Sequence, residues 1–363
     1  MQPMATPDAP ADWLAFLQSQ NAQFDEFGKI QTFGHPDLEH YLVKNGPVIT
    51  SLSHQALLKV SGADAQSFLQ AQLSADLKLV NDQQAQLSAY CDPQGNVLAI
   101  FLVFKHQDAY YLSFDGSLRE VIQKRLKMYV LRSAVTIESV SEQWIQVGYA
   151  GEFADLEIQR RLDTKVKGLY EVAQANTEES PDLLIIKVPG PYHSYRLFAP
   201  TSQMIAAWKT LRVSCDVTNS YDWQLLNIAA AVPEVNSVTS GQFTAQFLNL
   251  DKFDAISFKK GCFPGQEVIA RMHYRGKITK RMLRIRLEEF VPLHPGDTLS
   301  LLDSQEKTHK LTIIQSQADI YSGTLCNAIG TLKSLDAAEG PLKTENGKLA
   351  TIEPLPYSIT DEA

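Results

Sequence analysis

Four cysteines are scattered through the chain, at Cys91, Cys215, Cys262 and Cys326, and no two form a C-x-x-C pair. That excludes a disulfide framework and a self-contained zinc or four-cysteine iron-sulfur site as readings of the sequence. No apolar run approaches the ~20 residues that a membrane helix needs. No signal peptide is legible either, because Met1 to Pro10 is polar and proline-rich. The expected location is cytoplasmic, with no membrane partner. An overall basic excess is also missing, since 33 Lys and Arg face 41 Asp and Glu for a formal net charge of −8. Any nucleic-acid partner must therefore be met by a local patch rather than by the whole surface.

With 363 residues the chain exceeds one ordinary core, and ~100 to 200 residues per domain predicts two or three domains. Residues 1–45 read as an extension with one accessory helix, Asp12 to Ala22, whose Trp13, Phe16 and Leu17 share a face; no chemistry is assigned to it. Residues 46–140 read as β-α-β-β-β-α-β. Leu57 to Val60, Gln86 to Cys91, Val97 to Phe104, Ala109 to Phe114 and Ala134 to Val140 are the strands. One helix buries Ala65, Phe68, Leu69 and Leu73, and another opens on Ser117-Leu-Arg-Glu120, which fits a capping box. Residues 141–218 repeat nearly the same order, ending in a helix from Ser202 to Arg212 and a strand from Val213 to Val217. Residues 219–276 hold a helix, Asp222 to Val232, and a long irregular stretch from Pro233 to Ile256, of the kind that wraps a site. Residues 277–363 alternate in short strands with turns at Pro295-Gly296-Asp297 and Ser322-Gly323, the pattern of a small β-barrel. The fold class is α+β: two ferredoxin-like α/β units around a central cleft, plus a C-terminal antiparallel β-barrel.

The most informative stretch is Phe258 to Gly276, F-K-K-G-C-F-P-G-Q-E-V-I-A-R-M-H-Y-R-G. Phe263-Pro-Gly-Gln266 carries Pro at the second and Gly at the third position of a turn, as a type II turn requires, and a short helix follows from Glu267 to Met272. Gly261 and Gly265 permit close approach on either side of Cys262. From Lys259 to Arg286 nine cations stand against one acid, Glu267. Lys280, Arg284 and Arg286 alternate with Met282, Leu283, Ile285 and Leu287, and are expected to point outward from a strand. Lys260, Arg271 and Arg275 are expected to face an anion.

Each candidate has an ordinary structural alternative. A free cysteine is usually a small buried hydrophobe, but Lys260 and a helix start beside Cys262 favour a thiolate. Gln266 and Glu267 could serve only the helix start, or Glu267 could bond the aminopyrimidine edge of a pterin or pair with Arg271. Trp223 reads as core. Cys91-Asp92 is explained by an Asx-type turn, and His273 is an isolated histidine not proposed as a ligand.

Lys260-Gly-Cys-Phe-Pro-Gly-Gln-Glu267, with Ala270-Arg271 and Arg275-Gly276, resembles the signature of the YgfZ proteins, folate-binding relatives of the glycine-cleavage T-protein. Val60-Ser-Gly-Ala-Asp64, Phe68-Leu69-Gln70, Cys91-Asp-Pro-Gln-Gly95, Ser240-Gly-Gln-Phe243, Asn249-Leu250, Ile256-Ser-Phe-Lys-Lys260 and Glu353-Pro-Leu-Pro-Tyr-Ser358 resemble that family in the same order. The resemblance implies three domains around a central site for tetrahydrofolate or a folate derivative. It implies a cytoplasmic accessory factor for assembly or repair of iron-sulfur enzymes, including those that thiolate tRNA; a link to chromosome-replication initiation is also attached to the family. Trp223 matches a tryptophan that contacts folate in the family, and the second such tryptophan falls at Gln55. T-proteins carry adjacent aspartates where this chain, aligned through Gly95, has Ala99 and Ile100, which argues against aminomethyl transfer.

The expected function is thus a folate-binding, non-transferase accessory protein. Cys262 would act as reactive thiol or transient iron ligand, with no metal site of the protein's own. Lys260 stands beside it, and Trp223, Gln266, Glu267, Arg271, Arg275 and Gln55 form the cofactor set. Iron-sulfur enzymes or assembly proteins are the expected partners, with tRNA met indirectly, and the protein itself is a monomer or weak dimer. The alternative is a tRNA-binding module using the patch at 259–286; folate-dependent aminomethyl transfer ranks last.

Overall fold

A computed structural model describes residues 9–319 and 323–359; Ser322 of the expected last turn lies outside them. The chain divides into two compact units. One runs up to Phe68 and adds Lys78–Gln86 and Leu102–Leu226; the other holds Leu69–Leu77, Leu87–Phe101 and everything from Asn227 on.

The first β-α-β-β-β-α-β pass forms a five-stranded sheet in the order Gln86–Cys91, Val97–His106, Ala109–Asp115, Gln55–Ser61, Thr136–Ser139. Its helices are Ala65–Gln72 and Arg119–Met128. The expected capping box is not formed. Asp115 takes the cap instead, accepting from Ser117 N at 3.0 Å, because the chain enters through one 3₁₀ turn, Gly116–Leu118.

The second pass forms a six-stranded sheet in the order Val172–Gln174, Leu184–Val188, His193–Pro200, Trp144–Gly151, Val48–Ser51, Asp216–Val217. Val48–Ser51, which its place in the chain assigned to the first pass, belongs here. It pairs antiparallel with Trp144–Gly151 and parallel with Asp216–Val217. All four of its residues are buried, so it lacks the alternation that marks a half-exposed strand. Trp13 and Leu17 of the helix Ala11–Ser19 join the core of this sheet with Ile145, Val147, Leu197 and Trp208. Two short strands, Gln23–Phe24 and Ile30–Thr32, and the helix Pro36–Asn45 fill the segment that sequence left irregular.

In the second unit, six strands from Lys280–Leu287 to Leu349–Glu353 close into a barrel around Leu283, Ile285, Leu301, Ile313, Cys326 and Ala328. The stretch from Pro233 to Ile256 is irregular apart from Leu250–Lys252. Backbone bonds tie it down: Gly241 N to Val97 O at 2.8 Å, and Val97 N to Phe243 O at 2.8 Å. No helix among the described residues is long and apolar enough to cross a membrane.

Candidate functional site

The expected turn is present at Phe263–Gln266. Gln266 N donates to Phe263 O at 3.2 Å, and Gly265 has φ +79°. Helix Gln266–Arg275 starts directly behind it, with Ile269 buried. A Cβ at Gly265 would stand 2.5 Å from Gly95 Cα and 2.6 Å from Asp92 O. The turn is therefore pressed against the hairpin turn Asp92–Asn96, itself closed by Asn96 N donating to Asp92 Oδ1 at 2.8 Å. Gly261 plays no such part, because a Cβ there would meet nothing within 4 Å.

Lys260 is turned inward. Its Nζ donates to three carbonyl oxygens, of Gln70 and Leu73 at 2.6 Å each and of Ala75 at 2.9 Å. These are carbonyls at and just past the end of the helix Ala65–Gln72, where orphan acceptors attract a cation. The expectation that Lys260 faces an anion is corrected accordingly, since all its donors are directed at backbone. Burial lowers its ammonium to about 8, with Asp76 acting in the opposite sense. The clamp fixes one end of the loop and the Gly265 contact fixes the other. Between them Cys262 is exposed.

The other three cysteines are buried. Burial pushes the thiols of Cys215 and Cys326 up to about 12, and raises that of Cys91 as well, with Asp92 adding to the effect. Only Cys262 of the four is placed to meet another molecule. Among the described residues no group of three or more His, Cys, Asp or Glu could hold a metal ion.

The basic stretch is less positive than its count. Arg281, 1% exposed, forms an ion pair with Asp251 at 2.6 Å and also donates to Gln246 O at 2.9 Å. Arg284 pairs with Glu353 at 2.9 Å, and Arg286 pairs with Glu353 and with Asp319 at 3.4 Å. These two do not point freely outward as alternation predicted; the barrel supplies acids that only folding brings near. Lys259, Arg271, Arg275, Lys277 and Lys280 are exposed. Gln266 is half-buried and Glu267 exposed.

A feature missed by the sequence reading lies on the same surface. The rings of Phe258 and His273 stack at 3.8 Å and 10°, with Tyr274 edge-on to His273 at 4.7 Å and 66% exposed. Fifteen positions of loop and helix separate the stacked pair, and no periodicity signals it.

Trp223 and Gln55 lie in the first unit. Trp223 is buried on the helix Ser220–Ala229, with its indole laid on the backbone of Gly148: a Cβ there would fall 2.5 to 2.7 Å from three ring atoms. Its Nε1 is buried and has no hydrogen-bond partner among the described residues. Gln55 is also buried and sits in a polar network in which Arg196 Nη2 donates to its Oε1 at 2.5 Å and to Ser113 Oγ at 3.0 Å. Where a second aromatic wall was expected, the chain has an amide held by a guanidinium. Ala99 is fully buried and Ile100 half-buried, so the positions aligned with the aspartates carry only alkyl groups.

Known proteins agree with this architecture. Residues 13–188 match the GCVT N-terminal domain family. The tRNA-modifying protein YgfZ of Klebsiella pneumoniae (strain 342) is 28% identical over 314 residues, covering 86% of this chain and 94% of that protein. Its counterpart from Escherichia coli O157:H7 (strain EC4115 / EHEC) is 29% identical over 318 residues with the same coverage. In fold, the chain is similar to the glycine cleavage system aminomethyltransferase T from Bartonella henselae, with a TM-score of 0.75 at 13% identity over 94% of this chain and 96% of that one. The chain thus has the fold of the aminomethyltransferase, ending in a closed barrel, and is similar in sequence to the tRNA-modifying proteins YgfZ over most of its length.

Proposed function

We propose that this protein is a folate-binding accessory factor that supports assembly or repair of iron-sulfur enzymes, and through them tRNA modification, without transferring an aminomethyl group itself. One observation carries the reading. Cys262 is the exposed thiol of four, held at the tip of a loop locked by the Lys260 clamp and the Gly265 contact. A cysteine so presented can attack a disulfide or ligate iron on a partner, and one thiolate needs that partner to complete any cluster. The names of the relatives support the link to tRNA.

Trp223 could meet a pterin through its unused buried N–H donor, while one face of its ring is taken by the backbone of Gly148. Gln266 and Glu267 carry the amide and carboxylate that could meet an aminopyrimidine edge, and Arg271 and Arg275 could meet carboxylates. Gln55 does not fit, because its amide is engaged and has no stacking face. When bound, a folate supplies a one-carbon carrier or a redox-active pterin; Ala99 and Ile100 provide no acid or base for transfer.

The test is thiolated-tRNA content in cells whose only copy of the protein is Cys262→Ala. Thiolation falls while the variant melts like wild type if the reading holds; normal thiolation rejects it.

A second reading, direct RNA binding, is favoured by the Phe258–His273–Tyr274 stack beside five exposed cations. Bases stack on such platforms, and five phosphate contacts limit the slope of log K against log salt to about −4. Binding of tRNA with a much weaker slope, or none, removes it.

A further inference from the structure

We propose that residues 23–45 are a clasp that sets the position of Trp223, making Asp25, Glu39 and His40 positioning residues for the indole; its consequence for ligand binding rests on the folate reading above. The helix that carries Trp223 begins at Ser220, and four consecutive residues at that start are each bonded to the N-terminal segment. Asn219 Nδ2 donates to Glu39 Oε2 at 3.2 Å. Ser220 Oγ accepts from Ile30 N at 3.0 Å. Tyr221 donates its hydroxyl to the Asp25 carboxylate. Asp222 Oδ1 lies 2.5 Å from His40 Nδ1.

The clasp is buried and cross-braced. Glu39, His40, Asn219, Ser220 and Asp222 are each at most 5% exposed. Glu39 Oε1 accepts from Thr32 Oγ1 and Phe33 N at 2.7 Å each and from His35 N at 3.2 Å, so it is itself held in place. Asn219 Oδ1 caps the helix by accepting from Tyr221 N at 3.0 Å and Asp222 N at 2.8 Å, and its Nδ2 also reaches Asp222 Oδ2 at 2.6 Å. Burying this many polar groups is a costly way to hold a segment that apolar packing could hold as well. Hydrogen bonds add direction and register, which packing leaves looser. The turn they orient is the one that lays Trp223 on Gly148, and Trp223 N continues the same turn by donating to Asn219 O at 3.2 Å.

The experiment uses full-length protein with Tyr221→Phe, His40→Ala and His40→Asn, each made in wild type and in a Trp223→Phe background. Tryptophan emission, melting temperature and a tetrahydrofolate titration are measured on all. Tyr221→Phe removes one hydroxyl and is expected to melt close to wild type, to shift the emission component that disappears in the Trp223→Phe background, and to bind tetrahydrofolate about tenfold more weakly. In His40→Asn the amide nitrogen takes the place of Nδ1 and restores what His40→Ala loses. Emission changes that persist without Trp223, or clasp variants with wild-type emission and wild-type titration, overturn the clasp. A wild type that does not bind tetrahydrofolate rejects the folate reading instead, and the emission comparison still decides the clasp.

Discussion

Gly265→Ala separates a loop that is locked in place from one that merely happens to lie near its neighbours. At φ +79° any residue with a Cβ is strained, by roughly 1–2 kcal/mol. Here the added methyl would also lie 2.5 Å from Gly95 Cα, 2.6 Å from Asp92 O and 2.8 Å from Gly95 N, and backbone cannot step aside as a flexible side chain can. Strain and overlap together predict a loss of at least ~3 kcal/mol, hence a fall in Tm of order 10 °C for a unit of this size. Gly261→Ala, four positions earlier, is the control. It has no atom within 4 Å and should stay within ~0.5 kcal/mol of wild type. Scanning calorimetry reads the stabilities, and the rate of Cys262 with Ellman's reagent reads the loop. The account requires Gly265→Ala to lose stability and to change that rate, while Gly261→Ala alters the melting little. If the two substitutions melt alike and leave the thiol equally reactive, the claim that the turn is pressed on Asp92–Asn96 is wrong.

Ellman's reagent should titrate one thiol rapidly in the native protein and the other three only after unfolding, because Cys91, Cys215 and Cys326 are buried; two fast thiols would contradict the burial. The Lys260 ammonium is lowered to about 8 from 10.5, so between those values the unfolded chain holds more proton and stability rises with pH. The stability of wild type relative to Lys260→Met should therefore rise from about pH 8 to about pH 10.5, and a flat difference would refute the burial of the amine. Arg281→Met strands Asp251, which is 2.6 Å from the guanidinium, and should cost about 3–5 kcal/mol, most of it recovered in Arg281→Met with Asp251→Asn. Gly148→Ala should displace the Trp223 indole and change its emission; an unchanged spectrum would mean that the ring does not rest on that backbone.

What the sequence disclosed depended on whether the signal was local. Pro264-Gly265 announced the turn because φ > 0 at its third residue has one usual occupant, and the spacing of short strands after Gly276 announced the barrel. Lys260 could not be read this way. Its three acceptors are backbone carbonyls some 190 positions earlier, and every residue carries a carbonyl, so nothing in the text marks them. Arg281 shares the inward parity of Leu283, Ile285 and Leu287, but a buried guanidinium needs a partner, and Asp251 on the irregular stretch before it is supplied only by folding. The N-terminal segment was set aside because its strands are two and three residues long, too short for any period to show. The resemblance to YgfZ came from ordered blocks of identity along the chain, and it brought Trp223 forward where burial statistics would have left it in the core.

Measuring thiolated nucleosides in tRNA from cells that depend on Cys262→Ala, Trp223→Phe or Gly261→Ala tests the account most directly, with each variant's melting checked beside wild type. The account predicts depleted thiolation in the first two and normal thiolation in the third. Normal thiolation with Cys262→Ala would show that the exposed thiol is not what this scaffold contributes, and would contradict the central claim.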